Sequence, residues 1–270
     1  MIPDSGGPRS LESLPPWGDR PAPDIAPRPP AAGGFPVTLW DIVCMVLLAA
    51  AVVLSGTIGL GWLVSSGEEA GRGGAFDLIY GVLALEVVAI FAAVSLFAKR
   101  RRRLSWADIG LRPPSGRIVR RAIIGGLLCF VVLTPIMAGV SSLLGEPGVS
   151  PQAPFVVGQG FTVPRYIAIL LLGGGLIPLA EEVFFRGIVY QWMRKHWGPA
   201  ASVMASAVVF GAAHAVFPLV AITAFLVGLV LALVYERSGT LWASVIVHAV
   251  FNSVSLSVMF LGSAYIEAIT

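Results

Sequence analysis

The sequence predicts an all-α, multi-pass transmembrane helical bundle of about seven spans, with six to eight as the range that its segment lengths allow. Three observations predict it. Of 270 residues, 56% are hydrophobic, and the mean hydropathy is +0.85. Charged residues make up 12%, against about 25% in soluble domains. The apolar residues also come in blocks separated by charged or Pro/Gly-rich gaps, and one water-soluble core would leave much of that surface wet.

Residues 1–36 carry ten of the twenty prolines among Gly, Ser and Asp, a composition that cannot repay the entropy of ordering. They read as a disordered Pro-rich cytoplasmic tail and lack the basic start and short apolar core of a signal peptide. Residues 37–164 hold three spans, about 41–64, 77–98 and 118–144. Between the second and third lies the basic loop 99–121, opened by Lys99, Arg100, Arg101, Arg102 and Arg103. The positive-inside rule puts this loop and the N-terminus in the cytoplasm. Its flanking spans exclude a nucleic-acid role and leave it as a topology anchor against anionic lipids. Cys44 and Cys129 fall inside apolar blocks and read as small buried hydrophobes. Arginine far outnumbers lysine, a usage that points to a GC-rich bacterial genome and hence to a bacterial inner membrane.

Residues 165–270 hold the remaining spans. The block 165–193 is long for one straight crossing, and its Gly173-Gly174-Gly175 run and Pro178 predict a kink. Spans at about 200–216 and 219–235 form a hairpin turning at Pro218, and the last span covers about 240–261. This half also carries ionisable residues at membrane depth, where each costs about 2.5–3.5 kcal/mol even on lenient scales. They are Glu181, Glu182 and Arg186, then His214, then His248 with Asn252. Helical rise places Glu181, His214, His248 and Asn252 at overlapping depths, within about two turns of one another. Such agreement predicts one shared polar interior.

The spacings sharpen this. Glu182 and Arg186 are four apart and can pair on one helix face, while Glu181 is turned by about 100° toward a different partner. Phe210 stands four residues before His214 and packs one turn away, fixing that ring. A carboxylate beside a histidine can hold and deprotonate one water. A second histidine with an asparagine amide can donate to an oxygen that becomes negative. Hydrolysis of a peptide bond inside the membrane is the reaction these parts support. Glu181, His214 and His248 would equally suit zinc or another divalent metal, although the HExxH spacing is absent. Metal dependence is open at this point.

Three motifs then stand in order: Glu181-Glu182-Val183-Phe184-Phe185-Arg186, Phe210-Gly211-Ala212-Ala213-His214, and His248-Ala249-Val250-Phe251-Asn252. In this they resemble the EExxxR, FxxxH and HxxxN/D motifs of the CAAX-protease and bacteriocin-processing (CPBP, or Abi) family of intramembrane endopeptidases, over about residues 165–261. The stretch Ile109-Gly110-Leu111-Arg112 resembles that family's usual lead-in. The resemblance implies a general base at Glu181 helped by His214, an oxyanion site at His248 and Asn252, and support from Glu182 and Arg186. It implies a membrane-associated protein or peptide as substrate, and it leaves the metal question open.

Two other classes fit the same residues. A non-catalytic immunity or assembly protein would keep the scaffold and tolerate change at Glu181. A proton-coupled transporter would use the carboxylates and histidines as a relay. Transporters often show matched halves, and the first three spans here are nearly free of the residues that crowd the last four. Glu86, in the second span, is placed outside the site.

Overall fold

The computed structural model describes residues 34–66, 74–145 and 161–269. Residues 1–33 of the Pro-rich tail, the loop with Glu68, Glu69 and Arg72, and residues 146–160 lie outside the described residues. Phe35 and Val37 are already buried in the bundle before the first helix begins.

Seven helices run through the described residues. They are α1 (Leu39–Ser66), α2 (Gly74–Val94, continued by a π-helical stretch Ser95–Arg101), α3 (Gly116–Leu143), α4 (Val163–His196), α5 (Pro199–Ala213), α6 (Pro218–Ser238) and α7 (Leu241–Ile269). Six are long and apolar enough to cross a membrane, and α5 is a shorter apolar helix. The protein is a multi-pass helical membrane bundle. Leu54, Ile58 and Trp62 on α1, and Leu128 and Val131 on α3, are more than half exposed. Acyl chains are as apolar as these side chains, so the exposure carries no penalty in a bilayer.

Sequence chemistry sets the ends. Pro199 and Pro218 begin α5 and α6 at the position where a missing N–H removes nothing from the helix. Gly239 ends α6 with φ 67°, a left-handed cap that satisfies the Tyr235 carbonyl. Thr38 and Asp41 cap α1 reciprocally: Thr38 Oγ1 donates to Asp41 Oδ2 at 2.7 Å, and the Asp41 N–H returns to Thr38 Oγ1 at 3.2 Å. Buried Asp41 also pairs with Arg102 at 2.7 Å and Arg101 at 3.3 Å, which ties the start of α1 to the basic end of α2.

The most buried of the candidate spans is α4, which packs against α2, α5, α6 and α7. It is a continuous run with two π-helical stretches, Leu172–Leu176 and Phe185–Tyr190. The expected kink near Gly173 is therefore a widened turn. Pro178 causes it. Its ring has no N–H to return to the preceding turn, where the carbonyls of Gly174 and Gly173 lie four and five residues back. Both are met from α7: Asn252 Nδ2 donates to the Gly173 carbonyl at 3.2 Å, and Ser253 Oγ donates to that of Gly174 at 3.4 Å. A Cβ on Gly174 would come within 2.5 Å of Ser253 Oγ, so this approach needs glycine.

At the basic end, the 102–115 loop wedges into the bundle. Ile109 is fully buried, Leu241 N–H donates to the Gly110 carbonyl at 2.8 Å, and Thr240 Oγ1 donates to that of Arg112 at 2.6 Å. Gln191 Nε2 reaches the Asp108 carbonyl at 3.2 Å. The Ser105 hydroxyl and N–H hold the Asp108 carboxyl below the usual carboxylate range. The lead-in stretch is thus the plug that joins this loop to α4, α6 and α7.

Gly110 has φ 104°, and a Cβ there would also strike the Tyr235 hydroxyl. Gly110→Ala is expected to destabilise the protein by about 1–3 kcal/mol, read as a lower Tm in detergent. Gly116→Ala, whose Cβ meets nothing within 4 Å at the start of α3, should hold or raise it.

Candidate active site

The local sequence of α4 delivers two neighbouring carboxylates to different partners. Glu181 and Glu182 are both buried, and one residue of helical rotation separates their directions. Glu182 Oε1 accepts from Arg186 Nη1 at 2.7 Å, one turn along the same face. The same oxygen accepts from His248 Nδ1 of α7 at 3.2 Å. Arg186 is fully buried; its Nη2 donates to the Gly228 carbonyl of α6 at 3.0 Å, and its guanidinium lies over the Phe210 ring at 4.4 Å. A single carboxylate therefore connects α4 to α7 directly and to α6 through the arginine.

Glu181 faces the two histidines. Its Oε1 is 3.6 Å from His214 Nε2, and its Oε2 is 3.7 Å from His248 Nε2. Both rings are oriented through their other nitrogen. His214 Nδ1 is 2.8 Å from the Phe210 carbonyl, an oxygen that only accepts, so Nδ1 carries hydrogen. The same holds for His248 Nδ1 against the Glu182 carboxylate. In the neutral rings, each Nε2 therefore turns a lone pair toward Glu181.

His214 is the C-cap of α5, one residue beyond the expected helical setting. Its side chain is 26% exposed, whereas those of His248 and Glu181 are 5% and 8% exposed. The site consequently opens on the His214 side. Phe210 is buried at the centre of the cluster, with ring centroids 4.8 Å from His214, 5.7 Å from His248 and 4.9 Å from Phe185. It does more than fix His214, because it also packs on Arg186 and His248. Asn252 lies one turn beyond His248 and spends one amide hydrogen on Gly173.

The structure brings together Glu181, Glu182, Arg186, Phe210, His214 and His248, and places Asn252 on the adjoining turn. Glu86 stands on α2, half-buried. Its helix packs directly against α4. The joint role of Glu182 had no sequence signal, because His248 stands 66 residues away.

Residues 163–254 match the model of a family described as type II CAAX prenyl endopeptidase Rce1-like. This segment is homologous to that family. It contains every residue of the cluster. Comparison with curated proteins and with solved structures returns no match. The Rce1-like segment supplies α4 to α6 and the first half of α7, and so carries both carboxylate–histidine contacts.

Glu181, His214 and His248 are donor types that zinc accepts, and both rings have the outer hydrogen bond expected of metal-binding histidines. Even so, among the described residues no group of three or more His, Cys, Asp or Glu is arranged to hold a metal ion.

Removing one member of a buried pair leaves an uncompensated charge. Arg186→Met is expected to cost about 3–5 kcal/mol, read as a lower Tm or loss of folded protein in detergent. The double variant Glu182→Gln/Arg186→Met should recover part of that loss, since no buried charge is then left alone.

Proposed function

We propose that this protein is an intramembrane endopeptidase that hydrolyses a peptide bond in a membrane-associated protein or peptide. The observation that carries the reading is Glu181, buried in the bundle, with the ε-nitrogens of His214 and His248 on its two oxygens. A water seated beside Glu181 Oε1 and His214 Nε2 donates one hydrogen to each. Glu181 takes a proton as the water oxygen adds to the scissile carbonyl carbon. The carbonyl oxygen becomes negative on the side of His248 and Asn252. Asn252 retains a second amide hydrogen for it, and His248 donates through Nε2 when its ring carries both protons. Collapse of the tetrahedral species breaks the C–N bond, and Glu181 returns the proton to the leaving nitrogen. Glu182 and Arg186 do not touch the substrate; they hold His248 and the rotation of α4.

The basic end supports the setting. Lys99–Arg103 face the cytoplasm of a bacterial inner membrane by the positive-inside rule, with the N-terminus on the same side, and the 99–121 loop lies against anionic lipids.

Cleavage of membrane-anchored peptides by purified protein in lipid tests the reading. Glu181→Gln and His214→Ala should each reduce turnover by about 10²–10⁴-fold while the Tm and elution profile stay near wild type. Unchanged cleavage by Glu181→Gln would reject it, and would favour a non-catalytic membrane protein. Treatment with a chelator followed by metal analysis separates the two versions of the chemistry. Activity is expected to persist in metal-depleted protein; loss restored by zinc would assign Glu181, His214 and His248 as its ligands.

A further inference from the structure

Nine cations stand between Lys99 and Arg121, and the fold divides them. Four are engaged within the protein. Lys99 Nζ lies over the Trp106 ring at 4.0 Å, Arg101 and Arg102 pair with Asp41, and Arg112 Nε donates to the Ala107 carbonyl at 3.1 Å. Arg100, Arg103, Arg117, Arg120 and Arg121 are exposed and make no hydrogen bond or ion pair among the described residues.

Three of these five share one setting. Arg117, Arg120 and Arg121 are spaced by three and four residues in the first turns of α3, so they lie on one helical face. The same face continues through Ile124, Leu128 and Val131, which are 49%, 57% and 63% exposed. The opposite face is the packed one. Ala122, Gly126 and Cys129 are buried there, and a Cβ on Gly126 would come within 2.8 Å of the Val247 carbonyl of α7. α3 thus turns outward a strip with three guanidinium groups at the basic end and a column of branched aliphatic side chains beyond them.

Helix stability does not account for the three arginines. Cations in the first turns oppose the helix dipole, and no acidic side chain stands in the first turn of α3 to offset them. Topology needs positive charge on this side of the bilayer, but Lys99–Arg103 already supply it. An anion that carries an apolar chain satisfies both parts of the strip. Its phosphate accepts charge-assisted hydrogen bonds from the guanidinium forks, and its acyl chain lies along Ile124, Leu128 and Val131. Free phosphate would leave the column unused, and a zwitterionic lipid would bring its own cation to the arginines.

We propose that the face of α3 from Arg117 to Val131 is a binding site for one anionic glycerophospholipid of the cytoplasmic leaflet. The inference rests on the membrane placement of the 99–121 loop, narrows that contact to three side chains on one face, and is independent of the hydrolytic chemistry. Because α3 backs onto α7 at Val247 and Val250, on either side of His248, the bound lipid braces the helix that carries the second histidine.

The test titrates the purified full chain in detergent with phosphatidylglycerol, with phosphatidylcholine of the same acyl chains, or with inorganic phosphate. Binding is read by native mass spectrometry and by Tm. Phosphatidylglycerol should add as one retained adduct, bind about tenfold more tightly than phosphatidylcholine and raise the Tm by about 3–6 °C. Inorganic phosphate at the same concentration should do neither. Arg117→Gln/Arg120→Gln/Arg121→Gln should lower the phosphatidylglycerol affinity about tenfold, whereas Arg100→Gln/Arg103→Gln should leave it within about twofold. Lipid-free Tm and elution profile check that each variant is folded; if the triple variant is not, Arg120→Gln alone should lower the affinity about threefold. Equal affinity of the wild type for the two lipids overturns the site, and so does a Tm shift that inorganic phosphate reproduces. Equal losses in the two sets of arginine variants would also overturn it, and would keep only a diffuse attraction of the loop to anionic lipid. Cleavage enters none of these readouts, so the site and the endopeptidase reading stand or fall separately.

Discussion

One oxygen of Glu182 holds the second half of the molecule in register. It accepts from Arg186 within α4 and from His248 across to α7, and Arg186 passes the constraint on to the α6 backbone and the Phe210 ring. Three ionisable side chains are thereby removed from lipid and from water at once. In an apolar medium each would be costly alone. Their mutual satisfaction leaves few other arrangements of α4, α6 and α7, which makes this network a positional device as much as a source of stability.

The broken turn of α4 works in the same direction. Pro178 withholds one helical donor from the turn that carries Gly173 and Gly174, and lipid offers none in return. Asn252 and Ser253 donate to those two carbonyls, so this face of α4 is covered by α7 at that height. His248, one turn earlier on α7, is then delivered to the carboxylates that follow Pro178. A helix defect and a buried ion pair, about a turn apart, thus fix the same interface from two sides. Glu181 is left over from both, held between two rings whose other nitrogens are already engaged.

The first three helices divide into two roles. α3 packs along α7, and α1 along α2, with large aliphatic side chains left facing outward. α2 also lies on α4. At the basic end, Asp41 with Arg101 and Arg102, Glu236 with Arg194, and the wedge at Ile109 close the bundle by polar contacts. On the opposite side, at the α5–α6 turn, the His214 side chain is partly exposed.

Much was legible before any coordinates. Hydropathy and length fix the apolar segments because crossing a bilayer demands them, and a 3.6-residue period places Glu182 with Arg186 and turns Glu181 away. The ordered motifs gathered Glu181, His214 and His248 in one expectation, and their side chains do meet. What the chain by itself could not decide is how each helix is rotated and shifted against its neighbours. That depends on which orphaned carbonyl meets which amide, and which carboxylate oxygen is shared. Hence the bond from His248 to Glu182 and the seat of Asn252 on Gly173 belong to the tertiary structure alone. Local periodicity carries no information about contacts between segments that only packing brings together.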